Sequence, residues 1–212
     1  PAFAAALAGG DIALVSAMWV NNEVGSIWPI AELAAEARGA GALFHTDAAQ
    51  AFGKLDLSAD VDLLSLSGHK IGGPKGIGAL WVRPGTAIAP LLDGGGQEAG
   101  LRSGTQSPAL AAGFAAAAAA AEPHAAQAAA RRLMDVAIAA LAAIPHRVNG
   151  PDPLGNHRWP GNLSVSFPGL DASRLISALP GLALSSGSAC SSGSGRPSHV
   201  LAALGLTGQQ AR

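Results

Sequence analysis

Three short apolar runs dominate the early part of the chain, and polar residues cut each of them off. Ile12 to Val20 stops at Asn21-Asn22-Glu23, Ala42 to Thr46 at Asp47, and Val61 to Ser67 at Gly68-His69-Lys70. The near-continuous first run suits a strand buried on both faces of a sheet. Between the first two runs Pro29 opens a helix, in which Ile30, Leu33, Ala34 and Ala37 fall at i, i+3, i+4 and i+7. Gly39 and Gly41 end it. A short strand from Gly78 to Val82 follows a glycine-rich turn. Strand, helix, strand with polar strand ends predicts an open α/β sheet. Ligands of such sheets collect at the carboxyl ends of the strands, where this sequence places Asn22, Asp47 and Lys70.

The remainder reads differently. Ala109 to Ala143 is alanine-rich and helical, interrupted at Pro123, with Met134, Ile138 and Leu141 as one stripe of its second half. That stretch is structural, a helix linking two domains. Strand-like pieces follow Pro145, among them Asn162 to Phe167, and then a short helix from Asp171 to Leu179. A boundary near residue 125 is expected, with 1–125 as one domain and 126–212 as a smaller α+β domain. The chain is 49% hydrophobic and 13% charged with a net charge of −1. It therefore has ample core material and no electrostatic footprint for nucleic acid or an anionic membrane. The longest apolar run, Ala109 to Ala121, is broken by Gly113 and falls short of the roughly 18 residues that suggest a membrane span. Cys190 is the only cysteine, which excludes an internal disulfide and a cysteine-based zinc cluster, and favours a reducing, cytoplasmic setting. The chain opens on Pro-Ala-Phe and closes on Gln-Gln-Ala-Arg, so a fragment of a longer protein is expected.

Lys70 is the first candidate for chemistry. It follows a buried strand directly, and desolvation there disfavours an ammonium charge. A neutral amine forms a Schiff base with an aldehyde, and Ser67 and His69 beside it suit a phosphate. An isolated lysine in a turn is ordinarily just solvated; Lys54 and Lys75 lie in ordinary polar turns. Asp47, at the neighbouring strand end with Gln50 soon after, suits a partner for a protonated pyridine nitrogen or a plain helix cap. Cys190 sits among Gly and Ser in a segment that reads as a mobile loop, which disfavours burial and suits a nucleophilic thiol. Gly94-Gly95-Gly96-Gln97-Glu98 and Arg102-Ser103-Gly104-Thr105 suit an anion or plain turns, and neither matches a nucleotide-binding loop.

Taken together these segments resemble the cysteine desulfurases, a branch of the class V aminotransferase group with the fold-type I architecture of pyridoxal-phosphate (PLP) enzymes. The matching blocks are VNNEVG (20–25), HTDAAQAFGK (45–54), SGHKIGGPKGIGAL (67–80), GGGQE with RSGT (94–105) and SSGSACSSG (185–193). The last narrows the group to the iron–sulfur assembly and nitrogen-fixation type.

The resemblance implies that PLP is the cofactor and L-cysteine the substrate. Lys70 then carries the cofactor and moves the substrate's protons. Asp47 pairs with the pyridine nitrogen, and Gln50 and Asn22 contact the ring's phenolic oxygen. Ser67 and His69 hold the phosphate, while Thr105 reaches the phosphate in the partner of a homodimer. Cys190 takes the sulfur as a persulfide, releases alanine, and passes the sulfur to an acceptor or iron–sulfur scaffold protein. No metal site is implied beyond a transient iron–sulfur ligand at Cys190. Family members are about twice this length. A phosphate-binding loop, a ring-stacking histidine and a carboxylate-binding arginine are not found in this sequence, so little activity is expected of the 212 residues alone. Two other readings compete: another class V enzyme, such as a selenocysteine lyase or an aminotransferase, and a non-catalytic fragment that binds partners.

Overall fold

The computed structural model describes residues 2–186 and 198–206. The chain divides into two units, one of residues 1–19 with 29–123 and the other of residues 20–28 with 124–212.

In the first unit β1 (Leu14–Met18), β2 (Leu43–Asp47), β3 (Leu63–Ser67) and β4 (Gly78–Val82) form one sheet in that order. The first three strands run parallel and β4 returns antiparallel to β3. After α1 (Ala2–Leu7), the helix α2 (Ile30–Gly39) connects β1 to β2, buries Ile30, Ala34 and Ala37, and lies against β2. Pro29 caps this helix rather than starting it, and Gly41, at φ +80°, turns the chain into β2. Phe44 and Thr46, wholly buried, mark the covered face of β2. Burying a side chain such as Phe44 or Ile30 contributes about 1.5–3 kcal/mol.

Register decides what lies on the opposite face. Paired residues share a face and alternate residues change it. Ser16 pairs with His45, Met18 with Asp47, and Asp47 with Ser65, so His45, Asp47, Ser65 and Ser67 lie together opposite Phe44 and Thr46. The apolar runs therefore hide a group of polar side chains on one face of the sheet, set beside Leu14, Leu63 and Leu80 of the same face. Burial of the first run on both faces is not found either. Leu14 is 49% exposed, and among the described residues β1 is an edge strand of the sheet.

Charged groups fasten the other end of the sheet. Asp62, nearly buried, accepts from the Phe44 N–H at 2.9 Å and from Arg83 Nε at 3.0 Å. Arg83 also bonds Asp60, which Arg38 reaches from α2 at 2.6 Å.

Helix α3 (Pro108–Ala119) packs against the 3-10 turn Gly68–Ile71 that follows β3. Its Phe114 meets Phe52 edge to face at 6.2 Å. No described helix is long and apolar enough to cross a membrane.

In the second unit α4 (Pro123–Leu141) buries Met134. Strands β5 (Arg147–Val148) and β6 (Val165–Ser166) form an antiparallel pair. The strand expected over Asn162 to Phe167 is thus only two residues long: Val165 and Ser166 pair with Val148 and Arg147, and the Asn162 carbonyl accepts from Arg158 instead. Helix α5 (Ala172–Ala178) starts at Asp171, whose carboxylate accepts from the Arg174 N–H, and α6 (His199–Ala203) starts at Ser198. Val24, Leu201 and Leu206 form an apolar cluster, and Ser198 also donates to Glu23. Arg158 is 1% exposed, and its guanidinium donates to the carbonyls of Pro151, Asn149 and Asn162.

Candidate active site

The carboxyl ends of β2 and β3 present the polar groups. Asp47 closes β2, and its Oδ1 accepts the Ala49 N–H at 2.9 Å. It behaves as a turn cap, yet it stays half-buried on the same face as Ser65, with its second oxygen free of that bond. Ser67 closes β3, and its hydroxyl lies 3.0 Å from His69 Nδ1. His45, two residues before Asp47, bridges three strands: Nδ1 meets Ser16 Oγ at 2.7 Å and Nε2 meets Ser65 Oγ at 2.7 Å. Burial holds its imidazole below the ordinary range, and the Asp47 charge offsets part of that shift. Nothing in the sequence pattern singled His45 out; its place two residues from Asp47 on a strand was the available signal.

Lys70 occupies the 3-10 turn that β3 runs into, and Gly72, at φ +83°, ends that turn in a conformation glycine adopts at little cost. Lys70 is exposed. The burial expected at the strand mouth is found instead at Lys54, which is half-buried on the turn after β2. Its ammonium is held below the ordinary lysine range, first by burial and then by the Lys70 charge beside it. Lys54 Nζ donates to Gln50 Oε1 at 3.1 Å. Lys54 is accordingly no ordinary turn lysine.

The glycines of this block have structural work. A Cβ on Gly68 would come 2.9 Å from Ile77 Cγ2, one on Gly73 2.9 Å from the Gly68 carbonyl oxygen, and one on Gly78 2.6 Å from the Leu66 carbonyl oxygen. They let the turn close on β3 and β4, and this holds the lysine turn against the sheet end.

The first unit thus brings Asp47, Gln50, Ser67, His69 and Lys70 to adjoining strand ends. Thr105 is exposed on the loop before α3 and makes no hydrogen bond to any of them. Asn22 belongs to the second unit, where its carbonyl accepts from Asn162 Nδ2 at 3.1 Å. Cys190 lies outside the described residues.

Chemically, the set offers an exposed primary amine, a carboxylate, and a hydroxyl with an imidazole. Those suit an aldehyde carbon, a protonated heterocyclic nitrogen and a phosphate respectively.

A model of the class-V aminotransferase family matches residues 3–209. A mitochondrial cysteine desulfurase of Saccharomyces cerevisiae is 50% identical over 202 residues, which is 92% of this chain and 40% of that protein. Among solved structures, a NifS-like protein aligns with a TM-score of 0.85 at 34% identity, covering 98% of this chain and 56% of the other. A structure of SspA in complex with cysteine aligns at 0.77 with 35% identity, covering 94% and 56%. The chain spans about 40% of the length of the yeast relative.

Proposed function

Because the chain belongs to the class-V aminotransferase family, we propose that the whole protein is a cysteine desulfurase, which moves the sulfur of L-cysteine to Cys190 and releases L-alanine. The fold is that of the fold-type I PLP enzymes, and PLP is the cofactor of the family. The observation that carries the reading is the shared carboxyl end of β2 and β3. It brings Asp47 and Ser67 beside the turn that bears His69 and Lys70, a set suited to the ring nitrogen, the phosphate and the aldehyde carbon of PLP. A structural relative that holds cysteine supports the substrate.

When bound, PLP supplies an electron sink for the substrate's α-carbon. Lys70 would hold the cofactor through its amine, and the same amine would move protons to and from the substrate. The Asp47 carboxylate keeps a proton on the ring nitrogen, and the Ala49 N–H fixes its direction. Ser67 and His69 bind the phosphate; their mutual hydrogen bond orients both. Gln50 would meet the ring's phenolic oxygen.

The Cys190 thiolate attacks the substrate's sulfur. An S–S bond forms, the C–S bond breaks, and the electron pair left on carbon takes up a proton to become the methyl group of alanine. The products are alanine and a Cys190 persulfide, and no external oxidant or reductant enters the balance. The persulfide sulfur then passes to an acceptor or iron–sulfur scaffold protein in a reducing compartment such as the cytoplasm. Thr105 belongs to a homodimer in which each subunit completes its partner's phosphate site.

The test is incubation of the full-length, PLP-loaded protein with L-cysteine, followed by mass analysis of the Cys190 peptide. A gain of one sulfur, matched by alanine and lost in Cys190→Ser, is expected. Sulfur transfer that persists in Cys190→Ser would contradict the proposal. Alanine and selenide released from selenocysteine, with no product from cysteine, would favour the lyase.

A further inference from the structure

Lys54 and Gln50 share the turn that leaves β2, and backbone hydrogen bonds make that turn rigid. Ala48 O accepts from the Ala51 and Phe52 N–H groups at 2.9 and 2.8 Å, and Ala51 O accepts from Lys54 and Leu55 at 3.0 and 2.9 Å. Gly53 presses the turn against the lysine turn: at φ +72°, a Cβ there would come 2.9 Å from Ile71 Cγ2 and 3.3 Å from Ala121 Cβ. Ile71 directly follows Lys70. The two turns are thus packed together where Gly53 meets the Ile71 side chain.

An ammonium has only donors, and a primary amide has one acceptor end and one donor end. Lys54 Nζ, 3.1 Å from Gln50 Oε1, therefore decides which way the amide of Gln50 points. With the oxygen held by Lys54, both N–H groups of Nε2 are left to face elsewhere. A phenolic oxygen that carries negative charge needs a donor, and an amide turned the other way would present its own oxygen and repel it. We infer that Lys54 is a positioning residue, whose ammonium holds the oxygen of Gln50 and so presents the amide N–H groups to the cofactor's ring oxygen. The inference rests on the reading of Gln50 as the ring contact proposed above.

The experiment uses the full-length, PLP-loaded protein and two readouts apart from turnover: the visible absorbance band of the bound cofactor and the affinity for PLP. Lys54→Met removes the donor and keeps the stem. It is expected to shift the band and to weaken PLP binding about tenfold, the effect of one lost hydrogen bond. Lys54→Arg, which keeps a donor, is expected to restore both.

Because Lys54 acts through Gln50, adding Lys54→Met to Gln50→Leu is expected to change neither readout further. A band shifted by Gln50→Leu but untouched by Lys54→Met would overturn the inference alone. So would an equal, additive loss in the double variant, which a merely structural lysine would give. An unchanged band in Gln50→Leu would instead remove the ring contact on which the inference rests. If Lys54→Met does not fold, Lys54→Glu decides. Its carboxylate accepts from Gln50 Nε2 and turns the amide oxygen toward the ring, so the band must shift with Gln50 in place and not in the Gln50→Leu background, and an unchanged band would overturn the inference.

Discussion

Asp47 fills two roles that one substitution separates. Its Oδ1 accepts the Ala49 N–H, a role an asparagine oxygen also performs. Charge is the other role, and an amide cannot stabilise a pyridinium. Asp47→Asn in the full-length protein is therefore expected to cut turnover on the order of 10²-fold, while thermal unfolding moves by less than about 1 kcal/mol. Unchanged turnover would leave Asp47 as a cap only.

His45 makes a pH prediction. Burial depresses its folded pKa below the ordinary 6.5, so the unfolded chain takes up the proton first as the pH falls. Its stabilising contribution is complete above the unfolded pKa. It is lost as the pH falls through 6.5 toward the folded value, and no more is lost below that. Denaturant midpoints measured across this window should show a fall that His45→Gln flattens. A wild-type curve as flat as the variant's would contradict the shift.

At the scale of elements, the sequence was legible where period and turn chemistry agreed. The helix drawn from Ile30, Leu33, Ala34 and Ala37 is α2, and the strand from Gly78 to Val82 is β4. The break at Pro123 separates α3 from α4. What stayed hidden depends on long-range pairing. The run before Asp47 does not reveal that His45 and Asp47 share a face with Ser65, because that follows from register with β3. The place of Lys70 directly after a buried strand likewise suggests its desolvation and an ordinary polar turn for Lys54, whereas Lys70 is exposed and Lys54 half-buried, since burial of Lys54 comes from a turn packed on another turn. Arg158 was also passed over: one arginine in a loop carries no pattern, yet it ties three carbonyls inside the second unit. Arg158→Ala orphans those carbonyls and is expected to destabilise that unit by at least about 2–3 kcal/mol. A chemical-denaturation midpoint equal to wild type would show that water replaces the guanidinium without loss.

Taken whole, the 212 residues expose apolar side chains at both edges of the sheet. Leu14 on β1, and Leu80 and Trp81 on β4, are each about half exposed, and Leu91 is 93% exposed. Apolar surface of this kind marks contact with further protein. The 212-residue chain by itself is expected to bind a hydrophobic dye strongly, and the full-length protein to bind it weakly. Equal dye binding would show that these residues stay uncovered.

The central claim is that the cofactor is held at the polar end of β2 and β3 through one lysine. Load the full-length protein with PLP, reduce it with borohydride, digest it, and locate the modified peptide by mass spectrometry. The label is expected on Lys70, within SGHKIGGPK, and to disappear in Lys70→Ala. A label mainly on Lys54 or Lys75, or one unchanged in Lys70→Ala, would contradict the account.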